Sequence, residues 1–166
     1  YLLGADEIDM SVLGETFVIY QGHHGDRGAH RADVVLPGAA YTEKNGYYVN
    51  TEGRPQMGLA ATRPPGDARE DWAILRALSE ALGYTLPYDH ISELRKMMIA
   101  VAPHFANLDS VEPAIWEEFG EFNNENLEAG IFESGIQNYY MTDSVSRASH
   151  VMADCSDCFT KADGTA

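Results

Sequence analysis

The residues best suited to chemistry lie in one short loop, Gln21-Gly22-His23-His24-Gly25-Asp26. Neutral imidazoles and a carboxylate are the donor set that zinc and other borderline transition metals take. His23, His24 and Asp26 are therefore the candidate metal ligands, with His30 as a fourth donor. The loop follows a predicted strand at its carboxyl end, where α/β sheets place ligands. Adjacent histidines in a single loop seldom aim at one ion, however. A Gly-rich turn whose imidazoles bond backbone accounts for the same residues, and spacing alone favours the turn. Cys155-x-x-Cys158 has the spacing of half a zinc site or of a redox pair, but no second pair exists. Cys155 also falls on an apolar stripe, which reads as a buried, inert thiol. Glu43, Glu52 and Arg54 could hold a polar ligand, or form a cross-strand charge pair and a satisfied turn. The glycines at 22, 25 and 28 do not have dinucleotide-binding spacing. No phosphate-binding Gly-Lys-Ser/Thr element occurs, and no serine sits in a nucleophile elbow. From the residues, no catalytic and no cofactor-binding position is assigned.

The elements that must position these residues belong to a chain of 166 residues with a net charge of −15 and 45% hydrophobic content. Those proportions suit a folded domain or a piece of one rather than a disordered chain. The negative charge argues against binding to nucleic acid or to an anionic membrane surface. No apolar run approaches the ~20 residues of a membrane helix. Two cysteines cannot supply the four thiolates of a common iron–sulfur cluster. Charge is unevenly spread: residues 97–146 hold 9 acids and no base. The acidic block 109–133 reads as a solvated face, or as an attractor for a cationic partner. Tyr1-Leu2-Leu3 looks like the end of a buried strand, so the chain is expected to be a piece of something longer.

Phe17–Tyr20 and Ala32–Leu36 are short apolar runs, as in parallel strands buried on both faces. The connection between them is expected to hold at most a short helix. Asn45-Gly46, between Tyr41–Lys44 and Tyr47–Thr51, predicts a hairpin with a type I′ turn. Asp67 and Glu70 form a capping-box pattern ahead of Trp72, Leu75, Leu78 and Leu82, with Gly83 as the stop. Asp89 is the expected cap of a second helix that turns Ile91, Leu94, Met98 and Val101 inward and ends before Pro103. A third is predicted from Pro113, burying Ile115, Phe119 and Phe122. A last one runs from about Ser144, with Val145, Ala148, Met152, Cys155 and Phe159 as a docking stripe. Trp72 and Trp116 read as core anchors.

Longer strings carry a resemblance. They are Ile19-Tyr20-Gln21-Gly22-His23-His24-Gly25-Asp26, then Ala32 through Lys44, Tyr48 through Arg54, and Pro64 through Glu80. Leu86 through Asp89, Tyr140 through Ser149 and Met152 through Cys155 complete the set. Together they resemble the carboxyl-terminal part of the large iron–sulfur subunit of respiratory complex I, NADH:ubiquinone oxidoreductase, in its mitochondrial and alphaproteobacterial form. The strings cover about residues 2–104 and 139–156, with no motif in 105–138.

The resemblance implies an α/β fold: the carboxyl-terminal piece of a molybdopterin-oxidoreductase-like domain, with short, mostly parallel strands, a β-hairpin and about four helices. Three regions are expected: residues 1–104 as the α/β portion, 105–138 as an acidic variable segment, and 139–166 as a carboxyl-terminal docking helix and tail. The resemblance also implies a scaffold role in the NADH-oxidising peripheral arm, with no cofactor in this segment and iron–sulfur clusters in the amino-terminal part of the subunit. Glu43, Asn50, Thr51 and Glu52 are also similar to true molybdenum enzymes such as formate dehydrogenases, which is the alternative reading. Gly53 stands where those enzymes often carry a second Arg. Implied partners are the rest of the same subunit and the flavin-containing and other peripheral-arm subunits, without nucleic acid or membrane insertion. The implied location is the matrix side of the mitochondrial inner membrane, or the cytoplasmic face of a bacterial plasma membrane.

Overall fold

The computed structural model describes residues 1–113, 130–132 and 134–160. The chain divides into two compact units, Tyr1–Glu112 and Pro113–Ala166. The helix predicted from Pro113, with Ile115, Phe119 and Phe122, and the anchor Trp116 lie outside the described residues.

In the first unit, β1 (Leu2–Leu3), β2 (Ile19–Gly22) and β3 (Val34–Pro37) form a parallel sheet in that order. Leu2 pairs with Tyr20, and Tyr20 with Val35. Parallel neighbours require crossovers. One contains a 3-10 turn, Met10–Leu13, and the other a short helix, α1 (Arg27–Arg31). The α/β expectation and the short helix after β2 hold. The core of the sheet is Leu2, Val18 and Tyr20, with Ala5, Met10, Leu13, Ala29 and Ala32 packed against it.

One buried carboxylate organises this core. Asp6 is 2% exposed, accepts from the Tyr20 hydroxyl at 2.8 Å, and accepts from the Gly28 amide at 2.9 Å. A buried polar group costs free energy unless bonded, and here both oxygens are. Position 28 must be glycine for steric reasons: an added Cβ would lie 2.7 Å from the Ala5 oxygen and from the Tyr20 ring. Burial first, then the bond to Asp6 and its charge, push the Tyr20 phenol well above the usual tyrosine range.

Strand β3 departs from the expectation of burial on both faces. Val34 and Val35 are exposed, at 38% and 50%. β3 is the last strand of the sheet, so only Leu36 gains cover.

The hairpin exists with other boundaries. Its strands are β4 (Gly46–Val49) and β5 (Pro55–Gly58), and Tyr47 pairs with Met57. Asn45-Gly46 is not the turn. Gly46 opens the strand, and the Tyr48 ring covers it and Gly58. The turn is Asn50–Arg54. There the Asn50 side chain accepts from the amides of Glu52 and Arg54, at 3.1 and 3.0 Å, and Gly53 adopts φ of 85°. A positive φ costs any other L-residue, which is why glycine stands there.

Helix α2 (Asp71–Ala81) starts four residues after the predicted cap. Asp67 belongs to a turn in which the Ala68 amide bonds the Pro65 carbonyl. Arg69 then lies extended against the end of β3, its amide bonding Pro37 and its carbonyl accepting from Ala39. Backbone committed to that bridge cannot be helical. Gly83 takes the left-handed stop, with φ of 80°. Helix α3 (Ile91–Val101) is capped at His90 rather than Asp89, with Glu93 accepting from both amides. Asp89 instead pairs with Arg76, whose guanidinium also bonds Glu80 and the Tyr88 carbonyl. Val101, expected inward, is 87% exposed at the helix end. The unit runs beyond residue 104: Phe105 packs on Tyr47, and Arg54 bonds the Asp109 carbonyl.

In the second unit, a 3-10 turn (Tyr139–Met141) precedes α4 (Ser144–Arg147) and α5 (His150–Phe159). The single helix predicted from Ser144 is therefore two. Ser149 is extended and caps α5, which interrupts the apolar stripe. Asp143 caps α4, and the amides of Ser146 and Val145 hold its carboxyl below the usual range. Trp72 stacks obliquely on Tyr88 and is only half-buried, so it is a boundary anchor rather than a core one.

Tyr20→Phe should lower unfolding free energy by about 1–3 kcal/mol, and Asp6→Ala by at least as much, because partners are left unbonded. Urea denaturation reads both. The raised Tyr20 pKa means its stabilisation is complete below about pH 10 and is lost as pH rises above that. Alkaline titration should thus show a steeper loss of stability in the wild type than in Tyr20→Phe. Gly53→Ala should cost about 1–2 kcal/mol through its positive φ, read as a lower thermal midpoint.

Candidate functional site

The carboxyl ends of β2 and β3 meet the amino-terminal end of α2, and the polar groups there form one network. Gln21 is fully buried. Its amide nitrogen donates to Asp71 Oδ1 at 2.9 Å and to the Asp71 carbonyl at 3.3 Å. Its amide oxygen accepts from the Tyr1 hydroxyl, and Lys44 Nζ closes the set on Asp71 Oδ2. Burial, and then the Asp71 charge, raise the Tyr1 phenol above its ordinary value. Glu43 folds back to accept from the Ala40 amide at 2.9 Å. Glu70 takes the Asn45 amide and the Trp72 indole.

The predicted metal residues sit beside this network without converging. His23 and His24 face each other, Nδ1 to Nδ1 at 2.6 Å, with their rings edge-on. Desolvation first, then His24 and Lys44, depress the His23 pKa below the ordinary imidazole value. Asp26 stands at the start of α1, and its carbonyl accepts from the His30 amide. The His30 side chain lines a shallow depression with Ile8–Ser11. Among the described residues no group of three or more His, Cys, Asp or Glu side chains converges on a metal position.

Glu52 and Arg54 pair with each other, at 3.1 Å, within the hairpin turn rather than across strands. Glu43 is not with them, so the three do not make a pocket for a polar ligand. The cysteines differ from the expectation of a buried thiol: Cys155 is half-buried and Cys158 exposed, because α5 buries none of its residues.

Sequence reasoning passed over Gln21, Lys44 and Asp71 as a set. One signal was present: an amide at the end of the apolar run Val18-Ile19-Tyr20 must find partners when buried. Nothing local named those partners, which lie up to 50 residues away.

Gln21, Asp71 and Lys44 thus lie together at the strand ends. Their donors and acceptors are spent on one another. The strand ends are also closely apposed: a Cβ on Gly38 would lie 3.0 Å from Asp71 Oδ1 and 3.5 Å from Gly22 backbone.

Residues 1–81 match the molybdopterin oxidoreductase family, and residues 110–155 match a family defined by the C-terminal region of an NADH-ubiquinone oxidoreductase subunit. The latter reaches into the stretch in which no motif was placed. The chain is 53% identical to the mitochondrial NADH-ubiquinone oxidoreductase 78 kDa subunit of Candida albicans, over 96% of this chain and 23% of that protein. The Neurospora crassa 78 kDa subunit is 49% identical, over 94% of this chain and 22% of its own length. The mitochondrial NADH dehydrogenase [ubiquinone] iron-sulfur protein 1 of Solanum tuberosum is 45% identical, over 97% and 22%. The chain thus spans less than a quarter of the length of these relatives. It belongs to the family of the large iron–sulfur subunit of NADH:ubiquinone oxidoreductase, respiratory complex I, and corresponds to the carboxyl-terminal, molybdopterin-oxidoreductase-like region of that subunit.

Proposed function

We propose that this chain is a structural segment of the NADH-oxidising peripheral arm of complex I, and that it carries no redox centre. The observation that supports this best is the closed network at the strand ends. Gln21, Lys44 and Asp71 satisfy one another, which is how a packing element is built. A ligand site would instead leave convergent polar groups unpaired. The donor chemistry agrees: two cysteines on one helix cannot hold a four-thiolate cluster. Electron transfer from NADH to ubiquinone then belongs to the remainder of the subunit and its neighbours, including the flavin-containing subunit. The exposed apolar residues of β1 and β3 are the surface that the rest of the subunit would cover.

Relatives named as mitochondrial support a mitochondrial location, and a segment of the peripheral arm would stand on the matrix side of the inner membrane. Among the described residues no helix is long and apolar enough to cross a membrane. The match of residues 1–81 to molybdopterin oxidoreductases favours one other reading, a segment of a true molybdenum enzyme.

Native electrophoresis with an antibody against this chain should place it in a band with flavin and NADH-oxidising activity. Migration only as a separate species would overturn the scaffold reading. Pterin extracted from that band in one-to-one ratio with the chain would favour the molybdenum alternative. Lys44→Ala should lower the amount of assembled complex severalfold while NADH oxidation per complex stays unchanged. Equal losses of both would place Lys44 in the chemistry instead.

A further inference from the structure

We propose that Cys155 and Cys158 form a dithiol that a hydroperoxide converts reversibly into an intrahelical disulfide. The structure places both on α5, with no bond between their sulfurs and with Cys158 open to solvent. Residues three apart along a helix share a face. Helix geometry sets their Cα atoms about 5 Å apart, inside the range of about 4.4–6.8 Å that disulfides span. Their Cβ atoms, at about 5–6 Å in an intact helix, must close to about 3.5–4.5 Å. Part of a turn must therefore unwind to form the bond.

That turn holds the second unit together at its end. The Phe159 ring stacks on Tyr140 at 6.0 Å, and Ser156 accepts from the Asn138 side chain at 2.7 Å. The Thr160 amide bonds the Ser156 carbonyl at 2.9 Å. Bond formation between positions 155 and 158 pulls on the backbone between these contacts, so oxidation and docking of α5 on the 139–141 turn oppose each other. A bridge formed under such strain is more readily reduced.

The chemistry balances in two steps. The Cys158 thiolate attacks one peroxide oxygen, the O–O bond breaks, hydroxide leaves, and a sulfenic acid forms. The Cys155 sulfur then attacks the Cys158 sulfur, the S–O bond breaks, and water leaves as the S–S bond closes. Two thiols lose two electrons and the peroxide gains them. A reduced dithiol carrier returns the pair to thiols by exchange. The inference stands on these two side chains and is independent of the scaffold reading.

The full protein, in the assembly that purifies with it, is treated with hydrogen peroxide, alkylated and digested with trypsin. Cleavage after Arg147 and Lys161 leaves both cysteines in one peptide. Expected is joint loss of both alkylation signals, a peptide lighter by two hydrogens, and full recovery after dithiothreitol. Protease sensitivity around α5 should rise with oxidation and fall with reduction. In Cys155→Ser, Cys158 should stop at sulfenic acid, trapped by a 1,3-dione probe. In Cys158→Ser, Cys155 should react several-fold more slowly. Persistent alkylation of both thiols, oxygen added to either in the wild type without loss of two hydrogens, or a mixed disulfide alone, would overturn the proposal.

Discussion

The first unit hangs on a carboxylate with almost no exposure to water. Asp6 is reached from β1 through Gly4-Ala5, takes the hydroxyl of Tyr20 from β2, and takes the amide of Gly28 from α1. Two strands of the parallel sheet and the helix of one crossover are therefore referenced to one side chain. Parallel strands do not meet through tight turns, so something other than local chain geometry must set how a crossover returns. Asp6 does this with directional bonds, and the surrounding apolar residues then fill the space that those bonds define.

A second fixed point, Gln21 with Asp71 and Lys44, extends the same logic to the next residue of β2. Two successive residues of one strand are thus held by polar partners, and alternation along the strand sends Tyr20 and Gln21 to opposite faces of the sheet. The outer strands are less covered, apart from Leu2 in the core. β1 is two residues long, and β3 carries exposed valines. The hairpin and α3 meet around Tyr47, where Arg95 lies over the ring and Phe105 beside it.

What the sequence revealed follows from how local each signal is. The parallel strand pair, the short helix after β2, the stops at Gly83 and Pro103, and the family itself were readable, because each depends on contiguous residues. The hairpin turn was misplaced because Asn45-Gly46 carries the residue types of a tight turn. Only the Tyr48 ring across Gly46 and Gly58 reveals that the glycines serve the strand face. The cap of α2 moved because Arg69 is used by β3, a partner about 30 residues upstream. Ser149 caps α5 in the middle of the helical stripe, and its capping preference prevails over the periodicity. The polar network at the strand ends was illegible for the same reason as the cap of α2: its members are scattered in sequence and gathered only by the fold.

The span between Gln21 and Asp71 has a consequence for how the chain comes into being. A side chain destined for complete burial has its acceptor 50 residues downstream. During synthesis β1, β2 and β3 all emerge before α2 exists, and until then the amide of Gln21 keeps its water. The sheet can pair early, but it cannot dry at that end. Closure of such long loops before any reward is what slows folding of non-local topologies. The first unit should thus mature late, with α2 as the element whose arrival completes it.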